Sequence, residues 1–509
     1  MSRREFIAYL SAAGLLAGCG PLGEKKRVMV VGAGLAGLAA GIELLERSGG
    51  DIEVDLIWQG HFLGGRATSW SEGDYLVGHG FHVMFDSYTA LFDKLRRSGT
   101  DLSERLIPND GHVLFYESRD ATIHTARQGV QDYTGFTPEE NESLTGWLVR
   151  NHEQIAYTDQ YPELDNLAFD DWARSTGLRE SLLQTNFFRY ARDVFFNYPA
   201  PISAYTVLKF LQGGYRRLSS ARGDAAAEQN QIYYFNGDMV ENLIQPLADH
   251  FLRLGGRMTP RLQVRRLIHD GTRVSGVEVA EPLPPGTHCG TGQWPDGNIV
   301  TDDDTRAILD DHDGYVLAIP HTAVLELNPG DDAIWGEPMF DNLHQIQTGS
   351  SFSARFWCNE PVGTEQYTQV INGTPEPCAA VIDYRNILDR YADGRWASVI
   401  DTVGALNDYE DLSEQALLEL VAEKIASIPG FENPLDCDPD FTWVRRNISD
   451  FGRIFLPLPG SHGYRPTAAT MFGNFFLAGD YVRNSFDIPT MEGATRSGIE
   501  AAEALLAAL

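Results

Sequence analysis

The first regular pattern in the chain is the apolar run Arg27-Val28-Met29-Val30-Val31, which suits a strand buried on both faces. Apolar residues then recur at helical spacing from Leu35 to Arg47, and Val54-Asp55-Leu56-Ile57-Trp58 reads as a second strand. Strand, helix and strand in this order predict a βαβ unit. From about 136 to 231 the strand signals thin out, and aromatic residues and helix formers take over. Within that stretch the apolar run at 204–211 suits a core helix, the lining of an apolar channel or a face that dips into a bilayer. The alternating pattern returns with a helix over 237–254, strands over 262–268 and 274–279, and an apolar strand over 315–320. Residues 281–312 are heavy in Pro, Gly and Asp and are expected to form a solvated loop. A final strand over 475–478 and a closing helix complete the series.

The turn after the first strand is Gly32-Ala33-Gly34-Leu35-Ala36-Gly37, a G-x-G-x-x-G. Glycines there permit a tight turn and a close approach of backbone to a pyrophosphate. The helix that follows turns free N–H donors and a positive dipole end towards it. Set between a strand and a helix, the motif predicts a dinucleotide without saying which. In such units the second strand usually ends on an acid that holds the ribose hydroxyls. Here that position falls on Trp58, and Gln59 is the neutral residue able to hydrogen-bond in its stead.

Further stretches extend the pattern: Phe62-Leu63-Gly64-Gly65-Arg66, Gly80-Phe81-His82-Val83-Met84-Phe85, Leu477-Ala478-Gly479-Asp480-Tyr481 and Met491-Glu492-Gly493-Ala494. With the first glycine motif and the spacing from first to last, they make the chain resemble the plant and cyanobacterial carotene desaturases, within the flavin amine oxidase superfamily. The middle of the chain matches loosely. The resemblance implies FAD and an α/β fold. A Rossmann-type FAD-binding domain of residues 27–135, 232–325 and 470–509 would be interleaved with a discontinuous α+β substrate domain of residues 136–231 and 326–469. Their junction is a natural ligand cleft.

The same resemblance places Gly64, Gly65 and Arg66 near the phosphates and Asp480, after Gly479, at the ribityl or phosphate region. It has Val264 offer its backbone to the adenine, and Met491, Glu492 and Ala494 begin a helix beside the isoalloxazine ring. It implies dehydrogenation of an apolar polyene or isoprenoid by hydride transfer to flavin N5, with a quinone or oxygen as final acceptor. No catalytic acid or base is required, and His82, set between apolar residues, reads as a hydrogen-bonded core histidine or a base. Two alternatives stay open. A flavin amine oxidase would share the fold, although many hold a lysine near N5 and this chain has none between Lys209 and Lys424. A non-catalytic lipoprotein that keeps a flavin or carotenoid would fit the missing ribose acid.

At 509 residues, 43% of them hydrophobic, the chain has material for two domains or more at roughly 150 residues each. A formal net charge of -31 sets it against nucleic acid and anionic lipid surfaces. At the N-terminus Ser2-Arg3-Arg4-Glu5-Phe6-Ile7 is a twin-arginine pattern, followed by an apolar run over 8–17 that is too short to span a bilayer. Leu16-Ala17-Gly18-Cys19 resembles a bacterial lipoprotein cleavage box with Cys19 as the lipidated residue. Residues 1–19 are therefore expected to direct twin-arginine export, leaving the protein on the periplasmic side, lipid-anchored to a membrane. Gly20, where an aspartate would retain a lipoprotein at the inner membrane, points to the outer one. Cys289, Cys358, Cys378 and Cys437 form no C-x-x-C pair and no metal-ligand spacing, so no metal is expected.

Overall fold

A computed structural model describes residues 25–60, 62–109, 112–126, 133–220, 232–282, 301–363, 369–449 and 451–509. The expected export signal over 1–19, with its lipidation site Cys19, lies outside the described residues, as does Cys289.

The βαβ unit forms where the apolar pattern places it. β1 (Lys26–Val31), α1 (Leu35–Arg47) and β2 (Ile52–Trp58) are joined, from far along the chain, by β3 (Arg257–Pro260), β4 (Gly314–Leu317) and β5 (Phe475–Leu477). The five strands make one parallel sheet in the order β3-β2-β1-β4-β5. Successive residues of β1 enter opposite cores: Val28 and Val30 pack with α1 and the closing helix α2 (Met491–Ala508), Met29 and Val31 with the other face. A strand at the centre of a doubly covered sheet therefore has no polar position to spare. α1 and α2 touch at Gly498, where a Cβ would lie 2.1 Å from the Ala36 carbonyl oxygen.

The other face is covered by an antiparallel sheet of Gln263–His269, Val274–Pro282 and Thr301–Leu309. The third strand corrects the loop expected over 281–312. Its Asp-rich start reads as a turn, but Ala307 and Leu309 pack on the core while the segment pairs with Val277 and Val279. The expected helix over 237–254 starts with a π turn over Val240–Ile244, and the Asp238 carboxylate accepts from the Val240 and Glu241 N–H groups.

The remaining layer holds helices from Pro138–Arg150 to Ala204–Ser220 and a seven-stranded mixed sheet. That sheet runs Pro439–Asn447, Ser351–Cys358, Ser398–Ala405, Cys378–Asp383, Ile371–Asn372, Val113–Glu117, Thr122–Ala126. Its last two strands come from the stretch assigned by sequence to the FAD-binding domain; Ile371 and Asn372 pair in parallel with Leu114 and Phe115 and draw the hairpin in. The run at 204–211 is core: Ala204, Val207 and Leu208 are fully buried, and the Tyr205 hydroxyl donates to Asp487. Among the described residues no helix is long and apolar enough to cross a membrane.

Candidate functional site

The three motif glycines have different reasons to be glycine. A Cβ on Gly32 would lie 2.2 Å from the Ala318 carbonyl oxygen, and one on Gly37 would lie 1.8 Å from the Gly32 carbonyl oxygen. The close approach of the segment after β4 demands the first, and the packing of α1 against the turn after β1 demands the second. A Cβ on Gly34 would meet only the Gly64 carbonyl oxygen, at 3.9 Å. The chain's own packing makes no use of a glycine at 34; its effect is to leave space open over the N-terminus of α1. Gly34 caps that helix with extended backbone and no side-chain hydrogen bond. The first-turn N–H groups of Leu35, Ala36 and Gly37 therefore have no intrahelical acceptors, which is the arrangement that binds phosphate.

The segment after β2 closes the cradle. The Gly64 N–H donates to the Ala33 carbonyl at 2.8 Å, which sets Gly65 against Gly34. Arg66 then reaches across to the segment after β5, where its Nη2 lies 2.6 Å from Asp480 Oδ1. Residues 414 apart in sequence are thereby tied at one place.

These groups line one cavity of about 400 Å3. Of the residues singled out by sequence, Gly32, Gly34, Leu35, Ala36, Gln59, Gly64, Gly65, Arg66, Val264, Gly479, Asp480, Met491 and Ala494 line it, and Gly37 lies behind in the helix–strand contact. Glu492 is a correction. Its fully buried carboxylate accepts from the Ala90 and Leu91 N–H groups, both at 2.9 Å, and pairs with Arg496 at 2.7 Å. Positions three apart share a helix face, so Met491 and Ala494 face the cavity while Glu492 turns aside.

Trp58 does stand at the cavity wall where the ribose acid is usual. The nearest acid on β2, Asp55, is engaged by Arg27, Arg257 and His312. Burial works to raise its pKa, but hydrogen bonds from His312 and Arg257 outweigh it and hold the carboxyl far below the usual range. Asp55 cannot replace the missing acid.

Phe62, at the head of the Gly64-Gly65-Arg66 stretch, also lines the cavity, together with residues that carried no sequence signal: Phe196, Arg445, Ser449, Phe451 and Ile454. Phe196 follows the helix Asn186–Asp193 in a turn, held by Asn407, whose amide donates to its carbonyl at 3.1 Å. His79 was within reach, three residues before His82 in the same glycine-rich stretch. Its Nδ1 lies 2.8 Å from Asn447 Oδ1, and His82 Nδ1 lies 3.1 Å from the Gly80 carbonyl. Burial pushes the two imidazoles down to about 3 and about 4, so both are neutral at physiological pH. Among the described lining residues the acids are Glu326 and Asp480, the latter tied to Arg66.

A family model described as flavin containing amine oxidoreductase matches residues 35–506. Zeta-carotene desaturase from Synechocystis sp. is 25% identical, with 94% of this chain and 97% of the relative covered. 15-cis-Phytoene desaturase from Synechococcus elongatus is 23% identical, with 94% and 96% covered. Among solved structures, wild-type putrescine oxidase bound to putrescine superposes with a TM-score of 0.65 at 16% identity, over 95% of this chain and 99% of the other. Reduced UDP-galactopyranose mutase gives 0.63 at 14% identity, over 95% and 96%.

Proposed function

The chain belongs to the flavin-containing amine oxidoreductase family, and from that premise we propose that it dehydrogenates an apolar polyene or isoprenoid. It is an FAD-dependent oxidoreductase of the carotene desaturase-like kind. The open space at Gly34 and the bare start of α1 fit the pyrophosphate of that cofactor. These residues line one cavity, and in this reading Gly65 and Arg66 would close over the phosphates, Asp480 would serve the ribityl side, Val264 and Gln59 the adenosine, and Met491 and Ala494 the ring. When bound, FAD supplies the redox chemistry by accepting a hydride at N5.

The observation that carries the substrate class is that the cavity holding this cradle is also walled by Phe62, Phe196, Phe451 and Ile454. Those side chains desolvate an apolar chain at little cost and keep water from the reacting carbon. An amine substrate has less support. Lys209, the last lysine before Lys424, is bound to Asp159 at 2.5 Å, and of the two described lining acids, Glu326 and Asp480, the second is already paired with Arg66.

Anaerobic mixing of the purified enzyme with an acyclic polyene, and separately with primary amines, tests the proposal. Bleaching of the flavin's visible band by the polyene is expected. Bleaching by amines alone would make the protein an amine oxidase, and bleaching by neither would leave the non-catalytic binding protein. The N-terminal pattern supports twin-arginine export and a lipid anchor at Cys19, which would hold the enzyme where both an apolar substrate and a quinone dissolve. Cys19→Ser is expected to move the protein to the soluble fraction, and its retention with membranes would remove the anchor.

A further inference from the structure

Among the described residues, His82 is the one side chain that lines both the main cavity and a second, much smaller one. The smaller cavity has a volume of about 30 Å3. That exceeds the roughly 10–15 Å3 needed to hold a single water. Ser69, Arg355 and Tyr384 give its wall polar groups, with the Arg355 guanidinium held by Asp401 and the Leu76 carbonyl. A water-sized polar space thus adjoins the main cavity across an imidazole.

The geometry fixes the proton on that imidazole. A carbonyl oxygen can only accept, so the 3.1 Å contact with Gly80 makes Nδ1 the protonated nitrogen. Nε2 then bears the lone pair, and among the described residues it has no hydrogen-bond partner. A histidine serving only the core is expected to satisfy both nitrogens. His79 and Arg66 lie around it and, in and behind the wall of the smaller cavity, Tyr234, Tyr384 and the Arg355–Asp401 pair are further ionisable groups.

We propose that Nε2 of His82 accepts the proton lost by the substrate when its double bond forms. The inference rests on the dehydrogenation reading above. In that reaction C–H bonds on two adjacent carbons break. One leaves with its electron pair as a hydride, taken by the flavin oxidant; the other gives its proton to Nε2, and its electron pair becomes the π bond. A weak base is sufficient, because the proton leaves a carbon beside one made electron-poor by hydride loss. Burial and Arg66 both destabilise the imidazolium so formed, so Nε2 gives its proton up to solvent once product leaves the main cavity.

The test compares wild type with His82→Gln and His82→Ala, each checked for flavin content by visible absorption. On anaerobic mixing with zeta-carotene in detergent micelles, both variants are expected to bleach at least roughly 10²-fold more slowly. Imidazoles added to His82→Ala should restore the rate, and more so as the pKa of the added base rises, a trend that a space-filling role would not produce. Wild-type rates in His82→Gln overturn the assignment while leaving the dehydrogenase intact; a wild type that zeta-carotene does not bleach removes that reading and this inference with it. A second readout needs no substrate. In protein labelled with 15N-histidine, His82 is expected to remain the Nδ1–H tautomer until it titrates near about 4, and an imidazolium at neutral pH overturns the proposal.

Discussion

Two helices, α1 and α2, open their N-termini on the same cavity, and they are finished in opposite ways. α1 begins at Gly34 with no side-chain cap and open space above it. α2 begins at Thr490, whose hydroxyl accepts from the Gly493 N–H at 3.1 Å, and its Glu492 carboxylate is spent on the start of the helix Thr89–Arg97. A bare terminus offers all its donors to a ligand and suits the charged pyrophosphate. A capped terminus has satisfied part of them and offers chiefly its dipole, which suits a ring that gains negative charge on reduction. The difference teaches that a bond the protein declines to make marks a binding site as clearly as one it makes.

The comparison breaks first at the glycines of α1. Gly37→Ala puts a methyl 1.8 Å from a backbone oxygen with no flexible side chain to yield. Loss of folded enzyme is the expected outcome, read from soluble yield and thermal denaturation. Gly34→Val should keep the native circular dichroism, since a Cβ there meets nothing nearer than 3.9 Å, yet the protein should be colourless because the phosphate space is filled. Full flavin content in Gly34→Val would mean that α1 is not the phosphate site.

What the sequence disclosed follows the same division. The α1 terminus is made within a few residues, so its strand, glycines and helix could be read with their boundaries, and the cradle's far half followed from Gly64-Gly65-Arg66 and Gly479-Asp480. The α2 side depends on which helix face turns inward. The spacing of Met491, Glu492 and Ala494 does not by itself disclose that Met491 and Ala494 line the cavity while Glu492 turns aside. Phe196, Phe451 and Ile454 were out of reach because tertiary pairing alone brings their segments to the cavity. The strand Thr301–Leu309 was hidden for the converse reason: its acidic start has turn composition, and pairing with Val274–Pro282 overrides it.

The histidines beyond the cradle sharpen the contrast through pH. His79 and His82 sit at about 3 and about 4 in the folded protein. An unfolded histidine titrates near about 6.5. Between those values the unfolded chain binds more protons, so stability is present above the unfolded pKa and is lost as pH falls towards the folded ones. Each histidine contributes a slope of about 1.4 kcal/mol per pH unit in that window. His82→Gln is expected to flatten the unfolding free energy by one proton between about pH 6.5 and 4, measured by denaturant titration. An unchanged slope would mean that His82 is not held neutral in the fold.

The smallest effect is expected at the capped terminus. Thr490→Ala removes the acceptor of the Gly493 N–H, a change worth about 1 kcal/mol at an ordinary helix start. Thr490 also lines the cavity, so the donor it releases faces the space that the ligand enters. Apoprotein should therefore lose the full value of the cap. Holoprotein should lose less, to the extent that the bound ring takes up the freed donor, and flavin content should stay near that of wild type. Equal losses with and without cofactor would mean that α2 acts on the ring through its dipole alone. Flavin loss as complete as in Gly34→Val would instead erase the distinction between the termini, because the cap would then belong to the ligand site rather than to the helix.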